Sequence, residues 1–196
     1  MASSAFRRLA VQSPRILRAV AAGGVVVTAA AFASPLVPAP ALCTPGPSLP
    51  PFGIPGKNQE RTLILIKPDG VERGLVGEII STFEKKGYKL VGMKMETPTK
   101  AKAEQNYDGL RSKPFFPGLV AYFSSGPVVA LCFEGADAIA TGRKMVDEIR
   151  YAKSVHYARN VIDGSDSVDG ARDEIQFWFS PSELSDYTRA IDSIAY

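Results

Sequence analysis

The stretch Arg61–Gly77, RTLILIKPDGVERGLVG, decides how this chain folds. Leu63–Ile66 is an unbroken apolar run, too short for a buried helix and closed at once by Lys67-Pro68-Asp69-Gly70. It reads as a buried strand that enters a tight turn. Val76, Ile79, Ile80 and Phe83 then recur at the spacing that gathers apolar side chains on one side of a helix, and Gly87 stands where that helix can be capped.

Working outward, Tyr88–Met95 reads as a second strand, and Lys102–Leu110 and Phe116–Phe123 as a pair of short helices. Pro127–Phe133 is a continuous apolar strand, Asp137–Ile149 a further helix, Ser154–Ile162 a fourth strand and Val168–Trp178 the last long helix. Strand, helix, strand, helices, strand, helix, strand, helix predicts an α+β sheet with helices packed on it, for which the split βαβ arrangement is the natural candidate. No internal repeat is evident.

The chain before residue 60 has a different character. Residues 1–59 contain Arg7, Arg8, Arg15, Arg18 and Lys57 and no acid, which leaves 18 of the 23 basic residues against all 20 acids in the remainder. The basic balance therefore belongs to the leader, and no nucleic-acid partner is inferred from it. Met1–Arg18, with arginine, serine and isolated leucine and isoleucine, has the composition of an organelle transit peptide. Ala19–Ala33 is uncharged and apolar but rich in alanine and glycine, and a span needs about 20 solidly apolar residues. Residues 19–37 thus offer at most a weak membrane association. Eight prolines between Ser34 and Gly56 point to an extended or cleaved linker. The expected organisation is a leader and linker at 1–59 and one domain at 60–196. The expected address is mitochondrial, intermembrane space or matrix, with the plastid as the other choice.

Several chemistries are excluded cheaply. Cys43 and Cys132, far apart in sequence, give neither a disulfide framework nor a zinc site. There is no Walker A sequence and no Gly-x-Gly-x-x-Gly loop, and the single histidine, His156, cannot form His-Glu-x-x-His. Phosphate handling, if present, rests on scattered residues.

Arg61–Gly77 closely resembles the opening of a nucleoside diphosphate kinase. So do Lys113–Leu119 (KPFFPGL), Ser124–Val129 (SSGPVV), Thr141-Gly142-Arg143, Arg159–Val168 (RNVIDGSDSV) and Glu183–Thr188 (ELSDYT), in order and over essentially residues 60–190. The resemblance implies a ferredoxin-like, four-stranded antiparallel sheet with helices packed on it. It implies alternate binding of NTP and NDP, such as ATP and GTP and the nucleoside diphosphates, with Mg²⁺ held through the phosphates and no protein metal site. The family reaction is γ-phosphoryl transfer through a phosphohistidine. Carried over, Lys67 contacts ribose and phosphates, Phe115 and Leu119 sandwich the base, Arg143 and Arg150 hold phosphate, and Asn160 binds the ribose. Tyr107, Ser165 and Glu174 fall where the family supports its catalytic histidine.

These residue types suit the chemistry. Phosphoryl transfer is mostly positioning and charge stabilisation, so cations on rigid elements do most of the work. An aromatic face such as Phe115 stacks on any base. Taken singly, Phe115 could be core, Lys67 and Arg143 solvated charges and Asn160 a turn residue; as an ordered set they read as a binding site.

Two departures set this chain apart. In Asn160–Asp166, NVIDGSD, the phosphohistidine position is Asp163. Histidine leaves a neutral nucleophilic nitrogen near pH 7, whereas an ordinary aspartate, with a pKa of about 3.9, is an anion there. Carboxylates do form phosphoryl-enzyme intermediates, so Asp163 is the candidate catalytic residue with impaired phosphohistidine chemistry. His156 as a surrogate is disfavoured, because four strand residues place it about 13 Å from Asn160. The second departure is about ten missing residues between the helix of Arg143 and the strand of Asn160, judged by the resemblance. That loop joins subunits in hexameric members, so a homo-oligomer is expected with the hexamer in question. The function expected is a nucleoside diphosphate kinase-like nucleotide binder with impaired transfer; the alternative is an inactive nucleotide-binding or structural subunit that associates with active paralogues.

Overall fold

The computed structural model describes residues 44–46, 48–154 and 160–192. In chain order the elements are β1 (Thr44–Pro45), β2 (Glu60–Ile66), α1 (Pro68–Glu72), α2 (Val76–Lys85), β3 (Lys89–Glu96), α3 (Lys100–Asn106), α4 (Phe116–Phe123), β4 (Val128–Gly135), α5 (Ala138–Lys153), β5 (Ile162–Gly164), α6 (Val168–Trp178) and β6 (Tyr187–Thr188), with 3-10 turns at Asp108–Leu110 and Pro181–Glu183. The main sheet has the order β3-β4-β2-β5, and every neighbouring pair is antiparallel. β2–α2–β3 and β4–α5–β5 are the two halves of a split βαβ, so the fold is the ferredoxin-like α+β sheet expected.

The run LILI explains why β2 sits in the middle. Leu63 and Leu65 point to one face and pack with Phe123, Ile175 and Trp178; Ile64 and Ile66 point to the other and pack with Ile79, Phe83 and Val146. Successive side chains of a strand alternate, so only a strand covered on both faces can bury such a run. Each of these side chains contributes about 1.5–3 kcal/mol on burial. α2 ends as read: Gly87 takes φ +104 just past its C-terminus, a conformation glycine adopts without strain.

Two expected elements move. The helix expected to stop at Ile149 continues to Lys153, which adds a turn carrying Arg150; basic groups at that end complement the helix dipole. Of the strand expected at Ser154–Ile162, only Ile162 falls in a strand, which runs Ile162–Gly164; Ser154, Asn160 and Val161 lie before it, and residues 155–159 are outside the described residues. Its pairing with β2 cannot extend back past Ile162, because Val161 is in the left-handed region at φ +42 and the Ile162 N–H bonds back to the Asn160 carbonyl, an i to i+2 closure. Asn160 therefore lies before the strand rather than within it. His156, and the strand spacing used to place it, lie outside the described residues. The helix read over Lys102–Leu110 is also divided: Thr99 caps α3 by accepting from the Lys102 N–H at 3.2 Å, and Asp108–Leu110 forms the separate 3-10 turn.

Described residues before 60, read as linker, are packed on the domain. β1 pairs with β6, the Gly46 N–H donates to the Asp186 carbonyl at 3.0 Å and the Leu49 N–H to Asp186 Oδ2 at 3.0 Å. Arg61, 1% exposed, donates through Nη1 to the carbonyls of Pro50 and Pro51 and through Nε to Glu134. All described residues fall in one compact unit. Among them no helix is long and apolar enough to cross a membrane; the run 19–37 lies outside them.

Candidate functional site

The site forms where β2 ends. Lys67 caps α1 directly after β2, and its side chain is held back against the sheet, with only 3% of the residue exposed. Its Nζ donates to Asn160 Oδ1 at 2.8 Å and lies 3.3 Å from Asp163 Oδ2. Burial pulls the Lys67 pKa below its ordinary value, and the nearby Asp163 carboxylate offsets part of that fall.

Two further cations reach the same carboxylate from α5. Arg143 and Arg150 are seven residues apart, two turns along one face. Arg150 Nη2 is 2.6 Å from Asp163 Oδ1 while its Nε donates to the Ile162 carbonyl at 2.9 Å. Arg143 Nη1 donates to the Gly164 carbonyl at 3.2 Å and lies 3.8 Å from Asp163 Oδ1. Asp147, between them on the helix, contacts both arginines at 3.4 and 3.6 Å. Asp163 itself sits in β5 opposite Leu65.

Ser165 is locked onto β2 by both its groups: its N–H donates to the Leu63 carbonyl and its Oγ accepts from the Leu63 N–H, each at 3.1 Å. That orients the hydroxyl to donate to Glu174 Oε2 at 2.6 Å. Burial raises the Glu174 pKa, the Ser165 hydrogen bond opposes the rise, and Asp163 adds to it. Tyr107 has a buried hydroxyl with no hydrogen-bond partner. Burial pushes its phenol well above the ordinary range, so it remains a neutral donor.

Tyr107, Asp163, Arg143, Glu174, Asp166 and Leu65 line one cavity of about 420 Å³, within the usual size range for a small-molecule site of about 300–1,000 Å³. A smaller cavity of about 160 Å³ lies at the other end of β2, by Lys89, Glu134 and Asp186. Its charged side chains are paired, Lys89 with Glu134 and Asp186 with Arg61, and none of the site residues that the resemblance implies lines it.

The structure thus brings together Lys67, Tyr107, Arg143, Arg150, Asn160, Asp163, Ser165 and Glu174. Phe115 and Leu119 stand one turn apart at the start of α4, Phe115 57% exposed, and neither lines the cavity. Sequence reasoning missed three residues. Val161, a fully buried β-branched residue at positive φ, carries strain of about 1–3 kcal/mol, and nothing in its side chain announces that conformation. Asp69 accepts from the Val161 N–H at 3.1 Å through Oδ2 and from the Tyr122 hydroxyl through Oδ1. Its place in the Pro-Asp-Gly turn was the available signal; Tyr122 had none.

A family model described as nucleoside diphosphate kinase matches residues 60–184. Nucleoside diphosphate kinase B of Mus musculus is 51% identical over 140 residues, 66% of this chain and 92% of its own. The nucleoside diphosphate kinase of Synechococcus elongatus is 48% identical over 147 residues, 70% of this chain and 99% of its own. Among solved structures, the Aquifex aeolicus nucleoside diphosphate kinase matches at a TM-score of 0.61 and 39% identity, covering 64% of this chain and 98% of that one. A family protein from Babesia bovis matches at 0.67 and 39%, covering 70% and 99%. With the sheet order, the converging cations and these matches in place, the chain belongs to the nucleoside diphosphate kinase family.

Proposed function

We propose that this chain binds nucleoside di- and triphosphates at the cavity beside Asp163, and that passage of the γ-phosphoryl group from NTP to NDP is impaired there. The supporting observation is that one carboxylate draws three cations, Arg150 at 2.6 Å, Lys67 at 3.3 Å and Arg143 at 3.8 Å. With a neutral imidazole at position 163, those cations are free to face phosphate, which is what phosphoryl transfer asks of them. With an anion there, phosphate has to displace Asp163 from its partners and approach it against like charge. Any transfer through this residue would have an Asp163 oxygen attack the γ-phosphorus, forming a P–O bond as the β–γ bridge bond breaks and NDP leaves.

Mg²⁺, in this reading, would arrive with the nucleotide and offset the charge of its phosphates. Lys67, Arg143 and Arg150 would hold those phosphates, Asn160 the ribose, and Phe115 with Leu119 the base at the cavity's outer side. Ser165 and Glu174 orient position 163, and the unpartnered Tyr107 hydroxyl is a donor for phosphate oxygen. A homo-oligomer is part of the reading, supported by the family; the shortened connection after α5 bears on whether it is the hexamer. The acid-free leader supports an organelle address, mitochondrial before plastid.

The test is transfer of labelled γ-phosphate from ATP to GDP by the full-length chain and by Asp163→His, with MgADP affinity measured on both. Slow or no transfer by the parent chain and at least a tenfold gain in the variant are expected. Equal rates would show that residue 163 is not what limits the reaction.

A further inference from the structure

The turn that ends β2 grips the segment leading to Asp163 by its backbone as well as by the Lys67 side chain. The Lys67 N–H donates to the Val161 carbonyl at 2.8 Å, and the Val161 N–H donates to Asp69 Oδ2 at 3.1 Å. Both polar groups of the strained residue are thus held by residues of one turn. Gly70 lets the turn lie flush on it, since a Cβ there would come within 2.7 Å of the Val161 oxygen. Asp69 is steadied in turn by the Tyr122 hydroxyl, reached from α4.

We propose that Asp69 and Tyr122 are positioning residues of the site, a clasp that fixes Val161 in its left-handed conformation and thereby sets Asn160 opposite Lys67. A buried β-branched residue keeps positive φ only where its surroundings over-determine it. β5 begins at Ile162, so the sheet holds Asp163 but nothing in the ladder holds Asn160. If Asp69 releases the Val161 N–H, the residue relaxes toward the extended region and the Asn160–Val161 peptide turns. Asn160 Oδ1 then leaves Lys67 Nζ, to which it is bonded at 2.8 Å, and the Lys67 cation keeps only Asp163, which lines the cavity, as its partner. Neither Asp69 nor Tyr122 lines the cavity; the contact they make toward the site is through Val161. The clasp stands on this geometry alone, while its consequence for nucleotide rests on the function proposed above.

Tyr122→Phe removes one hydroxyl from a half-buried ring and leaves its packing, so it folds; Asp69→Asn keeps a carbonyl oxygen that accepts only one of the two protons. The experiment is amide hydrogen exchange by NMR on the full-length chain, with Phe83→Leu, a core change in α2 whose ring stacks on Phe133 and does not line the cavity, as the control. In Tyr122→Phe the Val161 and Lys67 amides are expected to exchange at least tenfold faster relative to the Leu131 amide in the sheet centre, with a larger ratio in Asp69→Asn and none in Phe83→Leu. MgADP affinity, read on the same samples, is expected to fall about tenfold in the two clasp variants only. Unchanged exchange at Val161 and Lys67 in both would overturn the clasp. Altered exchange with no ADP binding even in the parent chain would uphold the clasp and overturn the nucleotide reading instead.

Discussion

Asp163→Asn isolates charge from shape, because asparagine keeps the outline of aspartate and one oxygen for Arg150 Nη2 but gives up the anion. In the parent chain an incoming diphosphate competes with the carboxylate for Arg150 and Lys67. A hydrogen bond to a charged group is worth about 1.5–3 kcal/mol; because the Asp163 side chain is 30% exposed, solvent screening lowers the figure to about 1–2 kcal/mol. Repulsion adds to it. Two unit charges about 6 Å apart, at an effective dielectric of about 40 for a half-open cavity, interact by about 1.4 kcal/mol. Together, about 2.4–3.4 kcal/mol now opposes binding, so ADP should bind Asp163→Asn about sixty- to three-hundredfold more tightly. Isothermal titration at low salt measures it, and the gain should shrink as ionic strength rises because the competing pair is screened. Phosphoryl transfer should not appear, since the amide is no nucleophile. An affinity for ADP equal to or weaker than that of the parent would refute the idea that Asp163 competes with phosphate.

Three further outcomes are expected. A chain starting at residue 57 loses the Pro50 and Pro51 carbonyls that accept from buried Arg61. Stranding buried donors costs about 1–3 kcal/mol, so its melting temperature should fall several degrees below that of a chain starting at residue 40, and equal values would dismiss the docked segment as incidental. Phe115→Ala should weaken ADP binding by about 1–3 kcal/mol if the exposed ring stacks the base; unchanged affinity in a titration would remove Phe115 from the site. Glu174 has a folded-state pKa raised by burial, so its contribution to stability is present below its unfolded value and is lost as pH rises through its folded value. Denaturant midpoints should therefore decline with pH across that acidic window in the parent chain and decline less in Glu174→Gln, and superimposable profiles would show that Glu174 titrates alike in both states.

The sheet was legible because its signals are local. LILI with a turn behind it can only be a two-faced strand, and VVALCF repeats the pattern in β4, so the centre of the sheet follows from two apolar runs. The candidate site was legible through resemblance, and the structure brings eight of its ten residues to one place. What could not be read is where the last strand begins. A strand fits Ser154–Ile162 by its place in the order of elements, yet pairing with β2 starts only at Ile162, because the preceding peptide is turned by contacts to Lys67 and Asp69, 92 or more residues earlier in the chain. The docking of residues 44–52 was hidden for a similar reason. A proline-rich segment offers carbonyls and no pattern, and only the buried Arg61 shows that those carbonyls have a use.

Position 163 joins the stability of this chain to its chemistry. Lys67 is almost fully buried and Arg150 is about four-fifths so, with side-chain exposures of 4% and 20%. A group of cations desolvated to that extent is costly unless something answers its charge. In a site with a neutral residue at 163, that answer comes from bound phosphate or from water, and the empty site is the least favourable state. Here Asp163 supplies the counter-charge from within the chain, so the empty site is already balanced and phosphate has less to gain on arrival. In the function proposed above, the same residue would do two things with one charge: steady the unliganded domain and lower the return on binding and transferring a phosphoryl group. Retention of Lys67, Arg143, Arg150 and Asn160 is then not by itself a sign of turnover, because those residues also hold β5 against α5 and the β2 turn through Ile162, Gly164 and Asp163. Charge, more than reach or shape, is what the proposed impairment of transfer rests on.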